Sequence, residues 1–515
     1  MTLSRRHLLR ATAGGVLLAP FVAGCSSVRG GGNAETESSA GAVLRSAVPL
    51  PTAFTVPLPI PPVLRPTRTD HDTDYYEITQ RIGHAQIVPG LRTEVWGYNG
   101  IFPGPTIQSR RGRRTVVRHR NELPTPVVIH LHGGRTPPEH DGYPTDLITP
   151  MGGNAHPGHA GSGAQGTRDY RYPLDQPAAT LWYHDHRMDF TGPQVYKGLA
   201  GFHLLHDDLE EALPLPKGER DVPLMITDRS FAEDGSMSYP AIDPSLTGQP
   251  GVTTDFISGV LGDCVLVNGA PWPVMEVTNT RYRFRILNAS NARRYRLALD
   301  PSPPAGSSFV QIGSDQGLLA QPVGHEQLQI AQAERFDVVI DFSAYSVGDE
   351  VTLVNQLGKS GTANVMGFVV VRGGTDDSRI PDKLAEIQPL SRSDAVVERE
   401  LTFERHGAVM HGVTPWTVNG EPFSPEHITA DPAFGTVELW KLRAQNVPHP
   451  IHIHLAPFQI QNPGPYAGGW KDTVDLASGD QAEVLLRFDS YRGKYVFHCH
   501  NLEHEDMMMA NFEIR

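Results

Sequence analysis

The chain has 515 residues, 39% apolar residues and a formal net charge of −13. Its length predicts about three domains, and after residue 24 it has no apolar run long enough to span a bilayer. The acidic balance argues against nucleic acid as a partner and mildly favours cationic over anionic substrates. The many Gly and Pro residues (51 and 44) indicate frequent turns and an all-β chain.

Residues 1–24 have the form of an export signal. Ser4–Leu9 is typical of a twin-arginine signal, and an apolar stretch follows it. Val22–Cys25 matches a lipoprotein cleavage box, which predicts a lipid on Cys25; a plain cleavable signal is the alternative. We therefore expect an exported protein, in the cell envelope or outside the cell, whose only attachment to a membrane is this lipid. Residues 25–70 predict a tether and an extended entry segment.

A weak threefold repeat runs through the rest of the chain. Its markers are Asn99-Gly100, Asn268-Gly269 and Asn419-Gly420, separated by 169 and 151 residues, each followed within a few residues by Pro. A strand-like run with basic residues and an Asn comes after each marker. The pattern predicts three related β-sandwich domains, at 71–210, 215–375 and 398–515. The second domain holds none of the motifs described next, and we expect it to act as a spacer and as a wall of the substrate region.

Four histidine motifs carry the chemistry. They are His130-Leu-His132, His184-Asp-His186, His449-Pro-Ile-His452-Ile-His454 and His498-Cys499-His500, with His504 and Met509 five and ten residues after the cysteine. On a strand, side chains alternate between the two faces, so Cys499 faces one side and its two neighbours the other. A single His-x-His pair is often only structural. Four pairs, one of them around a cysteine, indicate metal, and thiolate with imidazole and thioether prefers copper.

The four motifs, together with the stretch His184–Leu205 and the segment His504–Asp506, resemble those of the three-domain multicopper oxidases. The likeness is greatest to bacterial spore-coat laccases and bilirubin oxidases. It implies three cupredoxin-like Greek-key β-sandwiches and four copper ions. The implied ligands are His449, Cys499, His504 and axial Met509 for the type 1 ion, His130 and His452 for type 2, and His132, His184, His500, His186, His454 and His498 for the type 3 pair. Met507 and Met508 are expected to be core residues.

The resemblance also implies an activity. A laccase-like enzyme would take single electrons from phenolic, aromatic or bile-pigment donors and reduce O2 to water with four of them. We expect a monomer of modest reduction potential, because an axial Met lowers the potential of such a site. Asp141 and Glu505 match acids that relatives use near the oxygen-reducing copper ions, so they are predicted proton donors. The alternative is that they orient histidine ligands, and the two roles are compatible.

Two other functions stay open. The first is a metallo-oxidase whose electron donor is Cu(I) or Mn(II); cuprous oxidases carry a Met-rich insertion, and this chain has 11 Met with no such cluster before residue 449. The second is a non-enzymatic cell-envelope protein, against which the intact ligand set argues. Cys264 is predicted to be a small buried hydrophobe, so no disulfide is expected. His156 and His159 are predicted to lie in a solvated loop.

Overall fold

The computed structural model describes residues 43–152, 163–240, 258–409, 414–462 and 464–515. The export signal, Cys25, His156 and His159 lie outside these ranges. The regular secondary structure within them is almost entirely β-strand, which confirms the all-β prediction. Its α-helices are short: α1 (Thr191–Lys197), α2 (Asp208–Ala212) and α3 (Leu502–Glu505). None of the described helices is long and apolar enough to cross a membrane.

The first sheet pair lies between residues 68 and 206. Its strands are β1 (Arg68–Thr69), β2 (Thr73–Ala85), β3 (Thr93–Tyr98), β4 (Gly104–Arg110), β5 (Arg114–Asn121), β6 (Ile129–His132), β7 (Ile148–Thr149), β8 (Ala164–Gln165), β9 (Thr167–Tyr172), β10 (Ala179–Asp185) and β11 (Ala200–His206). One sheet has the order β1-β2-β5-β9 with β3 also paired to β2, the other has the order β4-β11-β10-β6, and β7 forms a two-stranded sheet with β8. Alternating apolar side chains fill the space between the two main sheets.

The middle sheet pair lies between residues 221 and 372. Its strands are β12 (Asp221–Arg229), β13 (Cys264–Val267), β14 (Ala270–Pro271), β15 (Val274–Thr278), β16 (Arg281–Asn288), β17 (Tyr295–Asp300), β18 (Phe309–Ser314), β19 (Gly317–His325), β20 (Gln327–Ile330), β21 (Arg335–Asp341), β22 (Glu350–Asn355) and β23 (Asn364–Arg372). The sheets have the orders β14-β13-β12-β16-β21-β18-β19 and β15-β23-β22-β17-β20. Cys264 is a free thiol buried in the core between them, as predicted.

The third sheet pair completes the chain. Its strands are β24 (Ala395–Arg405), β25 (Trp416–Val418), β26 (Ile428–Ala430), β27 (Val437–Ala444), β28 (His449–Ile453), β29 (Phe458–Ile460), β30 (Thr473–Leu476), β31 (Gln481–Arg487), β32 (Gly493–Cys499) and β33 (Met509–Ile514). The sheets have the orders β25-β24-β27-β31-β29 and β26-β33-β32-β28-β30. The strands thus form three consecutive sheet pairs, while the domain limits drawn from the sequence stay a prediction.

The Asn-Gly repeat has a structural meaning in every sheet pair. Asn99, Asn268 and Asn419 have positive φ angles of 59°, 50° and 52°, and the glycine after each is also left-handed. Two left-handed residues in succession make the tight turn that suits the twist of antiparallel strands. Each asparagine side chain then accepts a hydrogen bond from a backbone N–H of a neighbouring strand, at 2.9, 2.8 and 2.7 Å. The repeat therefore marks the same hairpin corner three times.

Strand pairing brings the four histidine motifs into two neighbouring pairs of strands. In the first sheet pair His130 on β6 lies opposite His184 on β10. In the third sheet pair His452 on β28 lies opposite His498 on β32. Motifs more than 300 residues apart in sequence therefore meet where these two sheets contact each other.

Candidate metal centre

One predicted site is a compact triangle of three ligand atoms. Cys499 Sγ lies 3.4 Å from His449 Nδ1 and 3.6 Å from His504 Nδ1, and the two nitrogens are 3.3 Å apart. The centre of such a triangle is about 2 Å from each corner, close to the length of a metal–imidazole bond. All three side chains are buried. The arrangement has the size and the trigonal form of the predicted type 1 site.

Hydrogen bonds on the far side of each ring set the tautomers of these histidines. His449 Nε2 donates to the carbonyl of Gln445 at 3.1 Å, and His504 Nε2 donates to that of Ser258 at 3.1 Å. Each Nδ1 therefore presents a lone pair to the centre of the triangle. Burial raises the pKa of the Cys499 thiol, so the thiolate needs a cation beside it. The three side chains thus fit a metal ion.

The sheet register contradicts the choice of Met509 as the axial candidate. Met509 lies opposite His498 in the antiparallel β32–β33 pair, so its side chain shares the face of His498 rather than that of Cys499. It packs against Tyr143 and Val496. Met508 instead belongs to the buried cluster that contains Cys499, whose N–H donates to the Met508 carbonyl at 3.1 Å. Counting ten residues from the cysteine misplaced the axial candidate by one position, and a shift of one residue on a strand changes the face.

The remaining eight predicted histidines form one buried cluster on the opposite face of β32. They converge in three groups, which are His130, His132 and His452; His132, His184 and His500; and His186, His454 and His498. The Nε2 atom of His498 lies 3.2 Å from both His186 Nε2 and His454 Nε2. These groups correspond to the type 2 and type 3 assignments implied by the resemblance. As predicted, Cys499 and its two flanking histidines point to different sides.

The hydrogen bonds of this cluster also point to metal. His498 Nδ1 donates to the Cys499 carbonyl at 3.0 Å, and His454 Nδ1 bonds to Asp141 Oδ2 at 2.7 Å. Their Nε2 atoms therefore face each other with lone pairs, an arrangement that is repulsive without a cation between them. His130 Nε2, His132 Nδ1, His184 Nε2 and His452 Nε2 have no hydrogen-bond partner in the described structure, while the other nitrogen of each ring has one. The unpartnered atoms are those a metal would bind.

Burial keeps these imidazoles neutral. It lowers the pKa of all eight, to about 3 for His186 and about 4 for His452. A neutral imidazole is the protonation state that binds metals. At neutral pH the cluster is therefore ready for metal without losing a proton first.

The two predicted acids both border the histidine cluster. Asp141 accepts from His454 through Oδ2 and from His130 through its backbone carbonyl at 2.6 Å. Burial raises the pKa of Asp141 to about 8. Glu505 is completely buried, with Oε1 3.5 Å from His186 Nε2, and burial raises the pKa of this carboxyl well above its usual value. Asp141 thus fixes two rings directly, whereas Glu505 lies beside the cluster.

Sequence reasoning missed several buried residues around the site. Trp416 stacks on His504 with ring centroids 3.9 Å apart and planes 30° apart. Asp472 accepts a hydrogen bond from His132 through its carboxylate and one from His452 through its backbone carbonyl. Arg335 pairs with the Asp472 carboxylate. Asp472 and Arg335 are identified only by their burial as charged side chains in the folded chain, because in the sequence they stand in ordinary strand-like runs.

Comparison with known proteins agrees with the geometry. Two family profiles, both described as multicopper oxidase, match residues 81–210 and 398–514. A laccase of Bacillus subtilis is 36% identical and covers 88% of this chain and 97% of its own length. A bilirubin oxidase of Albifimbria verrucaria is 36% identical over 89% of this chain and 81% of its own length. The crystal structure of a laccase from Pediococcus acidilactici matches with a TM-score of 0.78 and 32% identity, covering 92% and 96% of the two chains.

The match to this solved structure extends over most of the chain, which confirms the cupredoxin-like fold expected from the sequence. The histidine groups fit the copper sites that the family implies. We conclude that the chain belongs to the multicopper oxidases, enzymes that use O2 as the electron acceptor.

Proposed function

We propose that the protein is a laccase-like enzyme that removes single electrons from phenolic, aromatic or bile-pigment donors and reduces O2 to water. One observation carries the proposal: Cys499 is a corner of the triangle, and its two chain neighbours belong to the histidine cluster. Electrons taken at the triangle would then have a path to the cluster through the few covalent bonds that join Cys499 to its two neighbours. The laccase and bilirubin oxidase relatives support this class of donor.

The residues divide into two copper sites. His449, Cys499 and His504 would hold one type 1 ion, with Met508 in the same buried cluster as Cys499, and the eight clustered histidines would hold three more. Copper, when bound, supplies one-electron transfer at the first site and the store of electrons that O2 needs at the second. Burial of both sets of ligands keeps bulk water from the reacting atoms. Glu505 and Asp141 stand beside the cluster as the proton donors that formation of water requires.

Side-by-side turnover tests this proposal. Copper-loaded protein is given 2,6-dimethoxyphenol, bilirubin and Cu(I) in turn while O2 uptake is recorded. We expect turnover of the two organic donors, with four one-electron equivalents consumed per O2 and no peroxide released. The Cys499→Ser variant should lose the blue absorbance and O2 uptake together. Consumption of Cu(I) far faster than either organic donor would favour a metallo-oxidase, and failure to bind four coppers would favour the non-enzymatic role.

We further infer that the protein is exported by the twin-arginine route and attached through Cys25. The support is the arrangement of the paired arginines, the apolar stretch and the cleavage box in the sequence. Fractionation of cells that express the chain and its Cys25→Ser variant tests this inference. We expect the parent in the membrane fraction and the variant released in soluble form. Equal distribution of the two would instead indicate a plain cleavable signal.

A further inference from the structure

The middle sheet pair does more than separate the other two. Arg335, the first residue of β21, is 0% exposed and reaches the back of the histidine cluster. A guanidinium has five N–H donors in a fixed plane, and here all five have an acceptor. Nε donates to the Thr180 carbonyl on β10 at 2.9 Å, and Nη1 and Nη2 donate to the Ala333 and Asp315 carbonyls at 3.0 and 2.7 Å. The other two donors bind one carboxylate.

That carboxylate belongs to Asp472 of the third sheet pair. Arg335 Nη1 lies 2.7 Å from Asp472 Oδ1, and Nη2 lies 2.5 Å from Oδ2. A two-point contact of this kind fixes the rotation of the carboxylate as well as its position. Gln316, also from the middle sheet pair, donates to Oδ2 at 2.7 Å. Asp472 thus has one orientation, which is set mainly from the middle sheet pair.

Asp472 in turn holds two rings of the cluster. Its Oδ1 accepts from His132 Nε2 at 3.1 Å, and its backbone carbonyl accepts from His452 Nδ1 at 2.8 Å. These bonds leave His132 Nδ1 and His452 Nε2 free of protons and directed into the cluster. The two rings are stacked, with centroids 3.7 Å apart and planes 18° apart. Asp472 therefore orients a ring of the first sheet pair through its carboxylate and a ring of the third through its backbone carbonyl.

Two further features support the contact between Arg335 and Asp472. Gly133 follows His132 with a φ of 84°, and a Cβ there would lie 2.7 Å from Arg335 Nη2 and 3.1 Å from Asp472 Oδ2. Behind the arginine, Asp315 Oδ1 accepts the backbone N–H of Arg335 at 2.8 Å, and Asp315 Oδ2 pairs with Lys471 at 2.9 Å. The arginine is therefore held at both its backbone and its side chain.

We infer that Arg335 is a positioning residue for the oxygen-reducing copper sites: by fixing the Asp472 carboxylate, it aims His132 at the ion it binds. The inference rests on the copper assignment proposed above. It gives the middle sheet pair, which carries none of the histidine motifs, a direct part in shaping that centre. The type 1 triangle, on the other face of β32, has no contact with this arginine among the described residues.

Arg335→Lys tests the inference, because lysine keeps the charge but cannot make the two-point contact. A misaimed ring of this kind should cost about 10- to 100-fold in metal affinity. We expect faster loss of copper from the histidine cluster to a chelator and weaker near-ultraviolet absorbance of the type 3 pair, to which His132 is assigned. The blue band should keep its intensity per type 1 copper. Asp472→Asn should give the same copper loss and the same spectral changes, and it tests the inference if Arg335→Lys does not fold.

The matched control is Arg293→Lys. Arg293 is equally buried in the middle sheet pair and pairs with Asp228 at 2.8 Å, an acid that holds none of the eight histidines. It should lower the melting temperature and leave the copper retention of the cluster and the type 3 absorbance unchanged. If Arg335→Lys and Asp472→Asn behave like this control, the inference is wrong although the copper assignment stands. If the parent protein itself shows no type 2 or type 3 signal, the proposed function fails, and the inference fails with it.

Discussion

Met508→Leu should raise the reduction potential of the predicted type 1 site, whereas Met509→Leu should leave it unchanged. The two methionines are adjacent and equally buried, 0% and 1% exposed. They differ in the face of the sheet that they occupy, Met508 with Cys499 and Met509 with His498. The pair is therefore a matched test of which thioether belongs to the blue site.

The two substitutions should differ in their effect on the reduction potential but not in their cost to folding stability. Leucine is close to methionine in volume, so each substitution should cost less than about 1.5 kcal/mol of folding stability. If the thioether favours the oxidised site by about as much as one hydrogen bond, roughly 1–2 kcal/mol, its loss raises a one-electron potential by about 40–90 mV. Only Met508→Leu should show that rise, because only Met508 lies on the side of the thiolate.

Redox titration of the blue absorbance measures the potential of both variants and the parent, and thermal unfolding checks that the two variants are equally stable. Oxidation of a phenol that the parent oxidises slowly should quicken in Met508→Leu alone. A shift in potential in Met509→Leu with none in Met508→Leu would refute the assignment of Met508 and favour Met509, ten residues after the cysteine, as the axial candidate. Equal shifts in both would mean that the sheet register does not decide the axial neighbour.

Two further predictions concern buried acids. Glu505→Gln should slow O2 reduction while copper content and blue absorbance stay intact; loss of copper would indicate instead that Glu505 holds a ligand. Glu210 is 4% exposed and lies 2.8 Å from Arg285, so Glu210→Gln should cost about 3–5 kcal/mol in denaturant unfolding. The control Glu211→Gln breaks only an exposed pair and should cost less than about 1 kcal/mol. Burial alone raises the pKa of Glu210, but the hydrogen bond from His206 and the buried arginines hold it well below its usual value. The folding stability that ionised Glu210 contributes is therefore present above about pH 4.3 and is lost in more acidic solution. The difference in free energy of unfolding between the parent and Glu210→Gln should narrow there.

The sequence was most informative where chemistry and local geometry coincide. A cysteine between two histidines on a strand must present them to opposite faces, and Cys499 lies in the triangle while His498 and His500 lie in the cluster. The Asn-Gly markers all fall at tight turns, because consecutive left-handed residues favour those residue types. In both cases the rule acts over two or three residues, so nothing distant can override it.

Counting along the chain failed where the backbone leaves regular structure. Between Cys499 and β33 the chain passes through α3 and a turn, so a spacing of ten residues no longer fixes a face. The sheet pairing places Met509 opposite His498, whereas Met508 lies in the buried cluster that contains Cys499. Side-chain direction in such a segment depends on the whole path of the turn, which the residue types alone do not determine.

By itself the sequence determined the candidate ligands, their grouping on strands and the repeated β architecture, since these follow from side-chain chemistry and short-range geometry. Only the tertiary structure decided which supporting residues stand behind the ligands. Arg335 and Asp472 are 137 residues apart and come from different sheet pairs. Their contact exists only because three sheet pairs meet at one place, and a buried charge is stable there only with its partner present.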